Sequence, residues 1–400
     1  TGLGSVGFTK LIHLAHDFCY GGVHHSGLYG GRTWLLLILP AAGALLVGFI
    51  TYYFAREARG HGVPEVMDAI ARRNGVIRPR VALAKAVSSA LTIGSGGSAG
   101  MEGPIIQIGS AIGSAAGQFF QVVKHNMPVL VGCGAAAGIS AIFHAPIAGV
   151  LFALEIFLRE LNFKTFSPVL LASVLSSVVT SALLGSNEAI FPILSQSAYR
   201  FQWYELGNYV VLGLLCAAAA VFFIRLLYAL EDLFAWINVH HIIKPVLGAL
   251  CLGLIGLFTV YVMGDTRLRE PAIFGNGYPL IGRCIGASLP EGTSALPLSV
   301  GVLVLLFFLK ALATGLTLGS GGSGGVFAPS LFLGAVVGYA FGLSLEHWGI
   351  FPQLSPATYA LVGMASVVAA TTHGPMAAIV IVFEMTRSYH VILPVMFSTT

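Results

Sequence analysis

"GSGGSAGMEGP" runs from Gly94 to Pro104 and "GSGGSGGVFAP" from Gly319 to Pro329, and the near-identity of these stretches decides how the chain is organised. Extended upstream, "LAKAVSSALTIGSGGSAGMEGPI" (Leu83 to Ile105) lies on "FLKALATGLTLGSGGSGGVFAPS" (Phe308 to Ser330). Lys85 meets Lys310, Thr92 meets Thr317 and Pro104 meets Pro329, each 225 positions apart (310 − 85). Gly109, Gly113 and Gly117 meet Gly334, Gly338 and Gly342 at the same spacing. Two shorter pairs flank this match in the same order. "GHGVP" (Gly60 to Pro64) pairs with "GNGYP" (Gly275 to Pro279), 215 apart (275 − 60), and "FHAP" (Phe143 to Pro146) with "THGP" (Thr372 to Pro375), 229 apart (372 − 143). Matching motifs in a fixed order mean one unit written twice. The two halves are placed at residues 1–200 and 201–400, with no soluble domain between them.

The chain is built for lipid. Of 400 residues 56% are hydrophobic and 9% charged, against about 25% charged in soluble domains. Apolar runs follow one another from Trp34 to Phe383, several near the roughly 20 residues that span a bilayer and several shorter. The fold class is therefore an all-α, multi-pass integral membrane bundle of tilted and broken helices. Duplicated membrane proteins of this kind are often inverted repeats with the substrate site between the halves. Basic residues gather in one connection, at Arg72, Arg73, Arg78 and Arg80, and in a second with Arg159 and Lys164, which places those loops in the cytoplasm. A net charge of +4 without a basic, aromatic-laced stripe implies no nucleic-acid partner. The five cysteines are scattered through apolar runs and read as small buried hydrophobes.

Six motifs share one grammar: a small residue, one or two variable positions, proline, then a helical run. Proline suits the first helical turn, where its missing N–H leaves nothing unsatisfied. A helix start carries unpaired N–H donors and roughly +0.5 of an elementary charge. Inside a bilayer such ends need a partner, so broken helices aimed at one point make an anion site without a lysine or arginine, and one weak enough to release its ion. The glycines at every fourth position read instead as helix packing faces. Glu102 stands out, because an ionisable residue within an apolar stretch is functional by default. Beside a bound anion it would take up a proton, so its carboxylate could fill an anion position when charged and vacate it when neutral.

These residues resemble the CLC chloride channels and proton-coupled chloride exchangers, whose signatures "GSGIP", "GREGP" and "GGxFxP" occur in this order on a duplicated, inverted architecture. The chain has "GHGVP" at 60–64, "GMEGP" at 100–104 and "GGVFAP" at 324–329, with "GAAAGISAIFHAPIAGVLFALE" (Gly134 to Glu155) resembling the long segment between them. The resemblance implies a homodimer in a bacterial or archaeal plasma membrane, surrounded by lipid, with a chloride path in each subunit and no cofactor. It assigns the gate to Glu102, the central anion position to the amides of Val326 and Phe327 beside Ala328, and the outer one to Met101, Glu102 and Gly103. His61 falls where a serine usually helps hold the central ion, and its neighbour Gly62 is counted with it among the anion-binding residues. The chain stops at Thr400 in apolar sequence, so a last helix with an ion-contacting tyrosine and cytosolic CBS domains would lie beyond it.

Three departures shape the functional expectation. His61 replaces a hydroxyl by a ring that donates one N–H when neutral and two when charged, which adds pH dependence. Met101 removes a cation from the outer mouth. Ile156 stands where the exchangers carry a second, internal proton glutamate; Glu155 is about 100° round the helix, and Glu160, four residues on, is the substitute relay. With the internal proton position lost, the sequence predicts a passive chloride channel gated by protonation of Glu102 and by voltage, the alternative being a chloride/proton antiporter.

An enzyme is not expected. The histidines form no His-Glu-x-x-His and no zinc spacing with cysteine, and "GSGGS" lacks the Lys-Ser/Thr of a phosphate loop. Intramembrane proteolysis would have to draw Ser98 or Ser323 to His144 or His373. A transporter of an organic substrate would need a roomier, more polar pocket at midplane.

Overall fold

A computed structural model describes residues 1–21, 33–159, 162–185, 191, 205–263, 271–286, 298–349, 355–387 and 391–400. Sixteen α-helices occur among them. The first half holds α1 (Gly2–Tyr20), α2 (Leu35–Tyr53), α3 (Val63–Arg73), α4 (Arg80–Gly94), α5 (Glu102–Phe119), α6 (Met127–Phe143), α7 (Pro146–Phe152) and α8 (Phe163–Leu184). The second holds α9 (Leu206–Trp236), α10 (Ile243–Met263), α11 (Tyr278–Ile285), α12 (Val300–Gly319), α13 (Phe327–His347), α14 (Pro356–Thr372), α15 (Pro375–Thr386) and α16 (Ile392–Thr399). The boundary expected near residue 200 falls outside the described residues.

Seven helices among the described residues (α2, α6, α8, α9, α10, α12 and α13) are long and apolar enough to cross a membrane. The six proline motifs open α3, α5, α7, α11, α13 and α15, as the missing proline N–H dictates. The two longest apolar runs do not form single helices. His144 (φ 51°) and His373 (φ 54°) take the left-handed conformation, ending α6 and α14, and the prolines that follow restart the chain as α7 and α15. After α7 the chain widens into a π-helical turn, Ala153–Leu158.

The repeated glycines do the packing expected of them. Gly109 of α5 and Gly134 of α6 sit so close that a Cβ on either would collide with the other's carbonyl. In the second half Gly334 of α13 stands in the same relation to Gly363 of α14, and Gly338 to the carbonyl of Tyr359. Backbone thus touches backbone along both helix pairs, which only glycine allows.

The halves meet about a pseudo-two-fold axis. Gly100 and Gly325 are equivalent residues (325 − 100 = 225), and they exchange backbone hydrogen bonds of 2.8 and 2.7 Å in an antiparallel bridge. An antiparallel pair of equivalent residues places a local two-fold axis between the copies, as the inverted-repeat expectation requires. Further bonds obey the same symmetry. Ser98 N–H donates to Thr317 Oγ1 (3.1 Å), and Ser323 N–H to Thr92 Oγ1 (3.2 Å). The Glu155 carboxylate accepts from the N–H groups of Met376 and Ala377 at the start of α15 (3.2 and 2.7 Å), and Glu384 from Ile147 and Ala148 at the start of α7 (3.3 and 2.7 Å).

Candidate functional site: converging helix starts around Glu102

Three glycine loops are drawn together where α3, α5 and α13 begin. A Cβ on Gly62 would stand 2.9 Å from the carbonyl oxygen of Gly103, and one on Gly103 would stand 2.9 Å from the Cα of Gly325. Gly60 exchanges backbone bonds with the second-half loop, through Gly322 O (3.0 Å) and Gly324 N (3.2 Å). The helical ladder of α5 starts with Ile105 N donating to Met101 O, and that of α13 with Ser330 N donating to Val326 O. The N–H groups of Met101, Glu102 and Gly103, and of Val326, Phe327 and Ala328, therefore precede their ladders and are the donors a helix start offers. The structure brings His61, Gly62, Met101, Gly103, Val326, Phe327 and Ala328 to one place.

Glu102 lies at the centre of this junction with 0% exposure. Its Oε1 accepts a 2.6 Å hydrogen bond from the Tyr278 hydroxyl. Its Oε2 completes no hydrogen bond and lies against Gly100, on the side of the Ala328 backbone N–H. The carboxylate thus lies buried where the starts of α5 and α13 meet. It does not cap its own helix in the ordinary way: the N-cap is Met101, and no side-chain cap bond forms there.

Phe327 follows on the second-half side of the junction. Its ring packs against Phe143 (centroids 5.3 Å apart) and Phe152 (6.3 Å), so its side chain faces the α6–α7 break. On the His61 side a cavity of about 370 Å³ opens, lined by Arg56, Arg59, His61, Glu65, Glu231, His241 and Lys244 among others.

Two groups escaped the sequence reading. Lys85 and Lys310 are fully buried, and each clamps a glycine turn of its own half. Lys85 Nζ donates to Ala58 O (3.1 Å) and Gly60 O (2.7 Å), and Lys310 Nζ to Ile273 O and Gly275 O (both 2.9 Å). The signal was present: a charged residue inside an apolar helical run, at the same place in both copies. Tyr278 was also missed, because "GNGYP" was read only as the mate of "GHGVP".

The proteolytic alternative finds no support in the geometry. Ser98 Oγ bonds Thr314 Oγ1 (3.0 Å), and Ser323 Oγ bonds Ser89 Oγ (2.9 Å) and donates to Ala58 O (2.7 Å), which makes both serines part of the loop framework. His144 and His373 serve as helix ends.

Residues 43–400 match the family model described as voltage gated chloride channel. The chain belongs to the CLC family. Among its relatives is the putative chloride channel protein ClcB-like of Ralstonia nicotianae, 33% identical over 373 residues, covering 91% of this chain and 80% of that protein. Another is the H(+)/Cl(−) exchange transporter ClcA of Vibrio cholerae, 33% identical over 376 residues, covering 92% of this chain and 75% of that protein. A solved structure, that of a slow cyanobacterial Cl−/H+ antiporter, superposes with a TM-score of 0.81 at 24% identity, covering 100% of this chain and 89% of that one. The all-α CLC fold and multi-pass membrane character follow from family and helices together. The family is one of transporters and channels.

The gated-channel expectation is overturned by the relatives named as H(+)/Cl(−) exchange transporters, those of Vibrio cholerae and Citrobacter koseri among them, and with it the inference drawn from Ile156. The side chain of Ile156 is buried at the π-helical turn, where its Cδ1 would lie 3.1 Å from a Cβ on Gly374, and it carries no proton. That closes one route only. Titratable groups gather elsewhere, in the cavity lined by His61, Glu65, Glu231 and His241. Glu155 does not face elsewhere as expected: its carboxylate is bound to the start of α15, and its Oε2 and the Ile156 side chain both approach Gly374, 3.4 and 3.1 Å from a Cβ there. Glu160, the expected substitute relay, lies outside the described residues.

Proposed function

We propose that the chain is a proton-coupled chloride exchanger in which Glu102 alternates between filling an anion position as a carboxylate and leaving it as a carboxylic acid. The observation that carries this reading is the seat of Glu102. It is a fully buried carboxylate at the meeting of two helix starts, turned toward the Ala328 amide and held by the Tyr278 hydroxyl. An anion arriving there meets the donors that Glu102 now meets, so the two compete for one place. Such competition couples proton uptake to anion passage. The amides of Met101, Gly103, Val326, Phe327 and Ala328 would line the path, with Gly62 and His61 toward the cavity. The exchangers among its relatives support chloride as the anion. The basic cavity on the His61 side supports attraction of anions from the cytoplasmic face of a prokaryotic plasma membrane. Two subunits, each with its own path, are the assembly proposed, with the exposed apolar side chains of α8 (Leu171, Leu175, Val178) available for a second copy or lipid.

The decisive experiment is paired chloride and proton flux from liposomes, with a chloride gradient, voltage clamped by a potassium ionophore and an external pH electrode. Protons moving uphill as chloride leaves are expected. Full chloride efflux with no proton movement would refute exchange.

A further inference from the structure

We propose that Tyr278 is the latch of the gate: its hydroxyl holds the Glu102 carboxylate in the anion slot and so sets how many anions cross for each proton. The inference rests on the reading of Glu102 as the exchanging carboxylate. The 2.6 Å bond from the phenol to Oε1 is the one well-formed hydrogen bond made by that carboxylate among the described residues, since Oε2 completes none. A phenol donates more strongly to a carboxylate than to a carboxylic acid. The latch therefore grips while Glu102 is charged and lets go when it takes up a proton.

The hydroxyl is held in place independently of Glu102. Tyr278 N–H donates to Asn276 Oδ1 (3.1 Å), and the ring meets Phe191 edge-on at 5.3 Å. The turn before it is clamped by Lys310 on the carbonyls of Ile273 and Gly275. Gly277 passes at φ 77° against the Phe332 ring, where a Cβ would not fit. A donor fixed this way loses little freedom when the carboxylate returns, which is what a latch requires. The repeat makes the assignment sharper. The first-half equivalent of Tyr278 is Val63 (278 − 215), which has no hydroxyl, so the second-half turn alone supplies this donor.

Tyr278→Phe keeps the ring and removes the donor. In the vesicle assay above, with the full chain, it should speed chloride efflux about tenfold or more, the worth of a hydrogen bond to a charged group. It should also raise the number of chloride ions per proton above the wild-type value and flatten the pH dependence of chloride efflux. In a Glu102→Gln background the same substitution should change none of these quantities. Efflux and coupling unchanged, or slower efflux, overturns the latch. So does an equal acceleration in the Glu102→Gln background, which would place the effect elsewhere. If the wild type moves no protons the exchange reading fails by itself. The latch is then still decided by whether Tyr278→Phe accelerates chloride efflux only when Glu102 is present.

Discussion

Glu384→Ala should damage the half of the protein that does not contain it. The Glu384 carboxylate accepts two N–H bonds at the start of α7, and Glu155 accepts two at the start of α15, with almost the same lengths: 2.7 and 3.3 Å against 2.7 and 3.2 Å. Losing an N-terminal cap costs roughly 0.5–2 kcal/mol, and losing a negative charge beside a helix start about another 0.3–1 kcal/mol. Each alanine substitution should therefore cost about 2 kcal/mol, a factor of roughly 30 in the folded-to-unfolded ratio. Because the two geometries match, Glu155→Ala and Glu384→Ala should cost the same within ~0.5 kcal/mol. Glutamine keeps one acceptor and should recover part of the loss. Unfolding in mixed micelles gives the energies, and amide hydrogen exchange gives the location. Glu384→Ala should unprotect Ile147 and Ala148 while leaving Met376 and Ala377 protected, and Glu155→Ala should do the reverse. Loss of protection at α15 in Glu384→Ala would refute the crossed capping, as would a difference above ~1 kcal/mol between the two alanine variants.

Gly338→Val should abolish folded protein, because its side chain would have to occupy the position of the Tyr359 carbonyl. Gly207→Ala, which meets nothing within 4 Å, should be neutral within ~0.5 kcal/mol; yield and monodispersity in detergent compare the two. Lys310→Met strips the donor from the carbonyls of Ile273 and Gly275 and should cost about 1–3 kcal/mol for each carbonyl left dry, read as a lowered midpoint of unfolding. Met101→Arg restores a cation beside the Glu102 end of the path. It should speed chloride uptake at low ionic strength and lose that advantage at about 0.15 M salt, where charges are screened beyond ~8 Å.

Much of this architecture was legible because its causes are local. Proline at a first turn, glycine where two backbones touch and apolar runs of bilayer length each act within a few residues, and repetition of the motifs exposed the duplication. The break after His144 and its copy after His373 could be read from the prolines two positions later. What stayed hidden depends on side chains that meet only across the inverted axis. Nothing near Tyr278 in sequence points to Glu102, 176 residues away, and nothing beside Glu384 points to α7. The Ile156 inference failed for a related reason. It took one position as the whole proton route, whereas the titratable groups of the cavity come from α3, α9 and the segments before α3 and α10.

The pairing of Gly100 with Gly325 has a consequence for sidedness. A molecule with a perfect two-fold axis in the membrane plane looks the same from both aqueous phases, so no ion could tell its inside from its outside. Any preference has to be written in positions where the copies disagree. Close to the axis these are few: Met101 against Val326, Glu102 against Phe327, Gly103 against Ala328, His61 against Asn276 and Val63 against Tyr278 among them. Each substitution puts chemistry on one side and removes it from the other. The direction in which the path can be opened is thus set by a handful of side chains on a frame that is itself without direction.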